Sequence, residues 1–118
     1  MALRLPLSDP AKIDLLAYRG DTGRFRITIS DDDGDPVDIT AADWDGDIRL
    51  KPADELVIAS FDIEPVVGDP SSVDVRLSSE NSELLPNRSV YDIEMRLLGE
   101  INTLMYGTIT TSSDVSRP

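Results

Sequence analysis

Leu84-Leu85-Pro86-Asn87-Arg88-Ser89-Val90-Tyr91-Asp92-Ile93-Glu94-Met95-Arg96-Leu97 reads as a corner that opens into a strand. A polar run, Ser78-Ser79-Glu80-Asn81-Ser82-Glu83, precedes it and has the length for one helical turn. Leu84 and Leu85 then supply an apolar plug, and Pro86 stops any continuing helix. From Tyr91 onward the alternation is strict. Tyr91, Ile93, Met95 and Leu97 share one face, and Asp92, Glu94 and Arg96 share the other, which is the pattern of a half-buried antiparallel strand.

The same period recurs on both sides of this stretch. Arg24 to Ser30 places Phe25, Ile27 and Ile29 on one face, and Val73, Val75 and Leu77 repeat the pattern. Val57 to Glu64 reads as one strand with Ala59, Phe61 and Ile63 inward, and Asp47 to Lys51 as another. Ile13 to Tyr18 is a plausible first strand, with a turn at Arg19-Gly20-Asp21-Thr22-Gly23. Asp33-Gly34 predicts a type I′ hairpin returning through a short strand, Pro36 to Thr40. Leu98-Gly99-Glu100-Ile101 predicts a hairpin with Gly99 first in a type II′ turn. Ile101 to Thr111 carries apolar residues in both phases, which predicts a bulge or a strand covered on both sides. Short strands separated by turn signals, with no amphipathic helix, predict an all-β fold, a sandwich or small barrel.

At 118 residues the chain is one domain with one core. Residues 1–12 read as an N-terminal arm, 13–111 as the β-sandwich and 112–118 as a tail. The chain has no cysteine and no histidine. A disulfide framework, thiolate chemistry, Ser-His and Cys-His catalysis and ordinary zinc sites are therefore excluded. The first residues are too short and polar for a signal peptide and no apolar run could span a bilayer, so function without export is expected. A net charge of −12 argues against nucleic acid and anionic membranes as partners.

The acidity is local. Eight of the 23 acids are aspartates between Asp31 and Asp47, a stretch with no base, and the remainder of the chain is close to balanced. The plain reading is a solvated edge; the sharper one is a cation site or a patch facing a basic partner. Asp31-Asp32-Asp33-Gly34-Asp35 fails the EF-hand pattern, because its sixth position is Pro36 and its twelfth is Ala42. No metal or cofactor is assigned. Arg19-Gly20-Asp21 is read as turn chemistry and not as a cell-attachment motif. The single tryptophan, Trp44, is read as a core-edge plug in preference to a sugar platform, since carbohydrate faces use several aromatics. No catalytic residues are assigned. Tyr91 is singled out for a structural role: its hydroxyl is expected to return to the backbone of the Leu84-Leu85-Pro86 corner, as in a tyrosine corner.

Taken in order, Tyr18 to Thr22, Asp33-Gly34 with Pro36 to Thr40, Trp44 before Ile48-Arg49, Leu84-Leu85-Pro86, Val90 to Glu94 and Gly107 to Thr110 resemble small immunoglobulin-like domains of tailed-bacteriophage virions. Such domains occur in long tail fibres, baseplate upper proteins and minor tail proteins. The resemblance spans roughly residues 13–115. It implies an immunoglobulin-like antiparallel β-sandwich of about seven to nine strands, with Tyr91, Trp44, Leu85 and Pro86 as structural residues. It also implies a non-enzymatic accessory or adaptor subunit made in the bacterial host cytoplasm, present in several copies in the virion and docked on tail or head proteins. Nothing follows Pro118, where such domains are often joined to a fibre shaft, and this favours a stand-alone subunit. The alternatives are a capsid decoration protein, a host-surface glycan- or receptor-binding module, and a calcium-stabilised adhesion domain. Edge strands are the natural docking sites in such a sandwich.

Overall fold

The computed structural model describes residues 2–7 and 9–112. Two sheets face each other. The four-stranded sheet has the order β1 (Ala2–Pro6), β4 (Gly23–Ser30), β8 (Asp69–Leu77), β7 (Asp62–Val66). The six-stranded sheet has the order β2 (Ala11–Lys12), β10 (Glu100–Ser112), β9 (Arg88–Leu97), β5 (Asp43–Arg49), β6 (Ala59–Ser60), with β3 (Leu15–Tyr18) also paired to β10. The one helix among the described residues is the single turn α1 (Ser79–Glu83), capped by the Ser78 hydroxyl, which accepts from the Asn81 N–H. The fold is an all-β sandwich.

The period-2 strands behave as the sequence predicts. Ile27, Ile29, Val73, Val75, Tyr91, Ile93 and Met95 are buried and form the core with Ile48, Leu104, Met105 and Ile109. The expected irregularity in the last strand is a bulge: the β9–β10 register shifts between Thr103 and Met105, so that both Leu104 and Met105 turn inward.

Other expectations need correction. The segment expected as an arm belongs to the sandwich, because β1 pairs in parallel with β4 (Leu3↔Ile27, Leu5↔Ile29) and β2 in parallel with β10. Leu5 is buried in the core, so the hydrophobic effect holds this segment down. These pairings, and that of β3 with β10, also make the sandwich mixed and not purely antiparallel. The tail expected from residue 112 begins one residue too early, since Ser112 ends β10; residues 113–118 lie outside the described residues.

Val57 to Glu64 is not one strand. It crosses between sheets at Phe61, giving β6 to one and β7 to the other. The Phe61 ring bridges the layers, edge-on to Phe25 at 6.2 Å and to Tyr91 at 5.8 Å. Pro36 to Thr40 makes only an isolated bridge, Ser30↔Pro36. The turn before it is of type I, not I′. The Gly34 N–H donates to the Asp31 carbonyl, and the left-handed conformation falls on Gly34 alone (φ 85°). At the β9–β10 hairpin Leu98 (φ 54°) and Gly99 (φ 82°) both have positive φ, which makes this turn type I′ with Gly99 second. Of the apolar plug, only Leu85 is buried; Leu84 is exposed.

Candidate functional site

The corner is held, but not by tyrosine. The Tyr91 hydroxyl donates to the Ile13 carbonyl at 2.5 Å, across the sheet from the corner in which it was expected to end. The reason is the register. Tyr91 points inward opposite Gly107, and β2 and β3 lie just beyond β10. Because Gly107 has no side chain, the chain at Ile13 can sit against it. A Cβ built on Gly107 would lie 2.2 Å from the Ile13 oxygen. The Ile13 N–H donates to the Tyr106 carbonyl while its own carbonyl turns inward to the phenol. Asp14 then substitutes a side chain for the missing ladder acceptor: its Oδ1 accepts from both the Thr108 N–H and the Thr108 hydroxyl at 3.0 Å. Those two hydrogen bonds, the backbone one first, hold the Asp14 carboxyl below its ordinary range. Burial, with a smaller contribution from the Asp14 charge, pushes the Tyr91 phenol up, so it stays a donor at any ordinary pH.

Arg19 fastens the corner. Its Nε and Nη2 both donate to the Leu85 carbonyl, at 3.1 and 3.0 Å, and Nη2 also reaches Asn87 Oδ1 at 3.2 Å. The next residue joins in: the Gly20 N–H donates to the buried Ser82 hydroxyl, which itself donates to the Ser79 carbonyl. Arg19 and Gly20 of the Arg-Gly-Asp tripeptide therefore clamp the α1 corner, while the Asp21 N–H closes the turn onto the Tyr18 carbonyl. Pro86 is half-buried beside Leu85.

The acidic stretch divides into two parts. In the hairpin, Asp31 Oδ1 accepts from the N–H groups of Asp33 and Asp35, so this carboxylate shapes the turn; the carboxylates of Asp31, Asp33 and Asp35 lie within 4.8 Å of one another. On the outer face of the six-stranded sheet, Asp45 stands opposite Glu94 and Asp47 opposite Asp92, with like charges directly across the β5–β9 pair. Arg96 pairs with Asp45, and Arg49 lies 3.3 Å from Asp47 and 3.8 Å from Asp92. Arg49 does not cancel the effect of burial on Asp92, whose carboxyl is raised above its ordinary value; the neighbouring Asp47 and Asp45 push in the same direction.

Trp44 lies within β5 and not before it. It is half-buried against the core and lines a cleft of about 540 Å³ between β5 and the β7–β8 hairpin. Among the described residues it is the one aromatic lining that cleft. No helix among the described residues is long and apolar enough to cross a membrane.

The sequence reading missed the Ile13–Asp14 crossing and the Arg19 clamp. Gly107 was the available signal for the first, as a glycine inside a strand marks close backbone approach. Scanned against models of known protein families, the chain matches none, and comparison with curated proteins also finds no match.

Proposed function

We propose that this chain is a non-enzymatic structural subunit of a tailed-bacteriophage virion, an immunoglobulin-like sandwich that docks on tail or head proteins. Strand order is the observation that carries the fold half of this reading. Assigning β1, β4, β8 and β7 to strands A, B, E and D, and β5, β9 and β10 to C, F and G, matches the strand order of an immunoglobulin constant domain, with two departures: β1 runs parallel to β4 where A would be antiparallel to B, and β2 and β3 are added in parallel beyond β10. β6 then extends the second sheet beyond C. The virion half rests on the order of motifs from Tyr18 to Thr110 that the chain shares with such domains. A net charge of −12 and the acidic outer face of β5 and β9 suit a subunit that sits on proteins and stays off nucleic acid.

The test is physical association with particles. An antibody raised against the recombinant chain should label intact particles purified by density gradient from the organism that carries the gene. Tryptic digests of those particles should contain the chain. Recovery only from the soluble part of the lysate, with the gene among metabolic genes, would overturn the reading.

A further inference from the structure

We propose that the free edge of β3, together with the apolar cleft beneath it, is a strand-addition site for an extended segment of a partner protein. The segment would carry apolar side chains at alternate positions and no acidic ones. This rests on the docking reading above and names the surface that docks.

The edges of the two sheets differ in how they are protected. An exposed edge strand invites pairing with another chain, and proteins blunt such edges with charge, proline or brevity. β7 carries Asp62, Glu64 and Pro65; β1 carries Arg4 and Pro6; β2 and β6 are two residues each. β3 has none of these. It reads Leu15-Leu16-Ala17-Tyr18, apolar on both faces, and pairs only with β10 among the described residues. Leu16 is 62% exposed and Tyr18 48%.

The backbone faces outward at the right residues. The Arg19 N–H donates to the Ser112 carbonyl, so by alternation Ala17 also faces β10, while the N–H groups of Leu16 and Tyr18 and the Leu16 carbonyl face away. Beneath this edge a cleft of about 390 Å³ enters the space between the sheets, lined by Leu15, Ala17, Phe25, Phe61, Leu77 and Ile109. It is open because β1 meets β4 only from Arg26 onward, which leaves Gly23 to Phe25 without a described neighbour on that side. A strand laid along β3 would hydrogen-bond to Leu16 and Tyr18 and turn every second side chain into the cleft.

Charge selects the occupant. Asp14 and Asp21 line this cleft against one base, Arg24, and the chain as a whole carries −12. A second copy would bring the same excess of acid, so a neutral or basic segment of another protein fits better.

The probe is a blocked peptide, Lys-Thr-Val-Thr-Val-Thr-Val-Lys, titrated into the full ¹⁵N-labelled chain. Amide shift changes should concentrate in β3, Arg19 to Phe25 and the facing part of β10, and hydrogen exchange should slow at Leu16 and Tyr18. Leu16→Pro, which removes an outward N–H on an edge that tolerates proline, should weaken binding at least tenfold. Leu16→Lys keeps its side chain in solvent and so preserves the fold; it should weaken binding about threefold, and Val67→Lys on the opposite hairpin should change nothing. A peptide with aspartate in place of each valine should bind at least tenfold more weakly. No binding at millimolar peptide, shifts centred on β7, equal binding by both Leu16 variants, or self-association through β3 without peptide would each overturn the proposal. Particle association would survive such a failure, so the two readings fall separately.

Discussion

β7 and β3 lie at outer edges of different sheets and solve the same physical problem differently. β7 presents Asp62, Glu64 and Pro65, with Arg76 lying 3.5 Å from Asp62, so an approaching strand meets charge and a missing donor. β3 presents leucine, alanine and tyrosine above an apolar cleft. The difference also appears in how each strand is anchored. β7 is one arm of a tight hairpin with β8, a local contact, whereas β3 is held by contacts from distant parts of the chain. Tyr91, Gly107 and Thr108 fix the turn into it and Ser112 closes its far end. An open edge is useful only if it is held rigid, and these contacts are what fix it.

The contrast can be broken most severely at Gly107. Gly107→Ala places a methyl against the Ile13 carbonyl, backbone against backbone, and should cost about 3 kcal/mol or more in urea unfolding. Loss of amide protection at Ile13 and Thr108 ahead of the β7–β8 hairpin would mark β3 as the part released. Tyr91→Phe leaves the Ile13 carbonyl without its donor and should cost about 1–3 kcal/mol by the same measurement, with β7 unaffected. Arg19→Ala removes the clamp on the Leu85 carbonyl and should cost about 1–2 kcal/mol, checked by thermal melting.

Two smaller effects sharpen the comparison. Removing the protection of β7 with Glu64→Thr and Pro65→Val should make it resemble β3, seen as concentration-dependent self-association in sedimentation velocity. A monomer indistinguishable from wild type would show that charge and proline are not what keeps that edge single. Acid titration should reach the β3 anchor, the Asp38 loop and β8. Asp14, Asp38, Asp69 and Asp74 all have carboxyls held below their ordinary value in the fold. Their contribution is therefore complete above about pH 4, where the unfolded carboxyls ionise, and is lost as pH falls through the lower folded values. Asp14→Asn should flatten part of that dependence. Asp92 has the opposite sign. Its carboxyl is raised, so ionisation works against the fold, and Asp92→Asn should raise the melting temperature slightly at pH 7, by the equivalent of about 0.2–1 kcal/mol.

Strand identity was legible wherever one face is buried, because a period of two exposes the core residues directly: Phe25–Ile29, Val73–Leu77 and Tyr91–Leu97 all read correctly. The bulge was legible from the two apolar phases of Ile101 to Thr111. Sheet membership was not. Nothing in the alternation of Ala59, Phe61 and Ile63 reveals that the chain changes sheets at Phe61, since both sheets bury the same phase. The first twelve residues read as an arm because prolines interrupt their period, while pairing with β4 and β10 is a long-range matter that local pattern does not encode. At the candidate site, Tyr91 was found but its acceptor was not. A hydroxyl's partner depends on which strand lies across the sheet, and Ile13 lies 78 residues away in sequence.

The parallel seating of β2 and β3 on β10 has a consequence for how the molecule is made. A ribosome releases Ile13 to Tyr18 early, yet Met105 to Ser112, the residues they pair with, emerge only near the end of the described chain. Contacts of such wide sequence separation form slowly, because the closure entropy of the intervening loop must be met first. Throughout synthesis the apolar segment Leu15 to Tyr18 therefore waits without its neighbour, as β2 does over the same span of chain, so the strand that leaves an open edge in the finished protein is also left uncovered through most of its production.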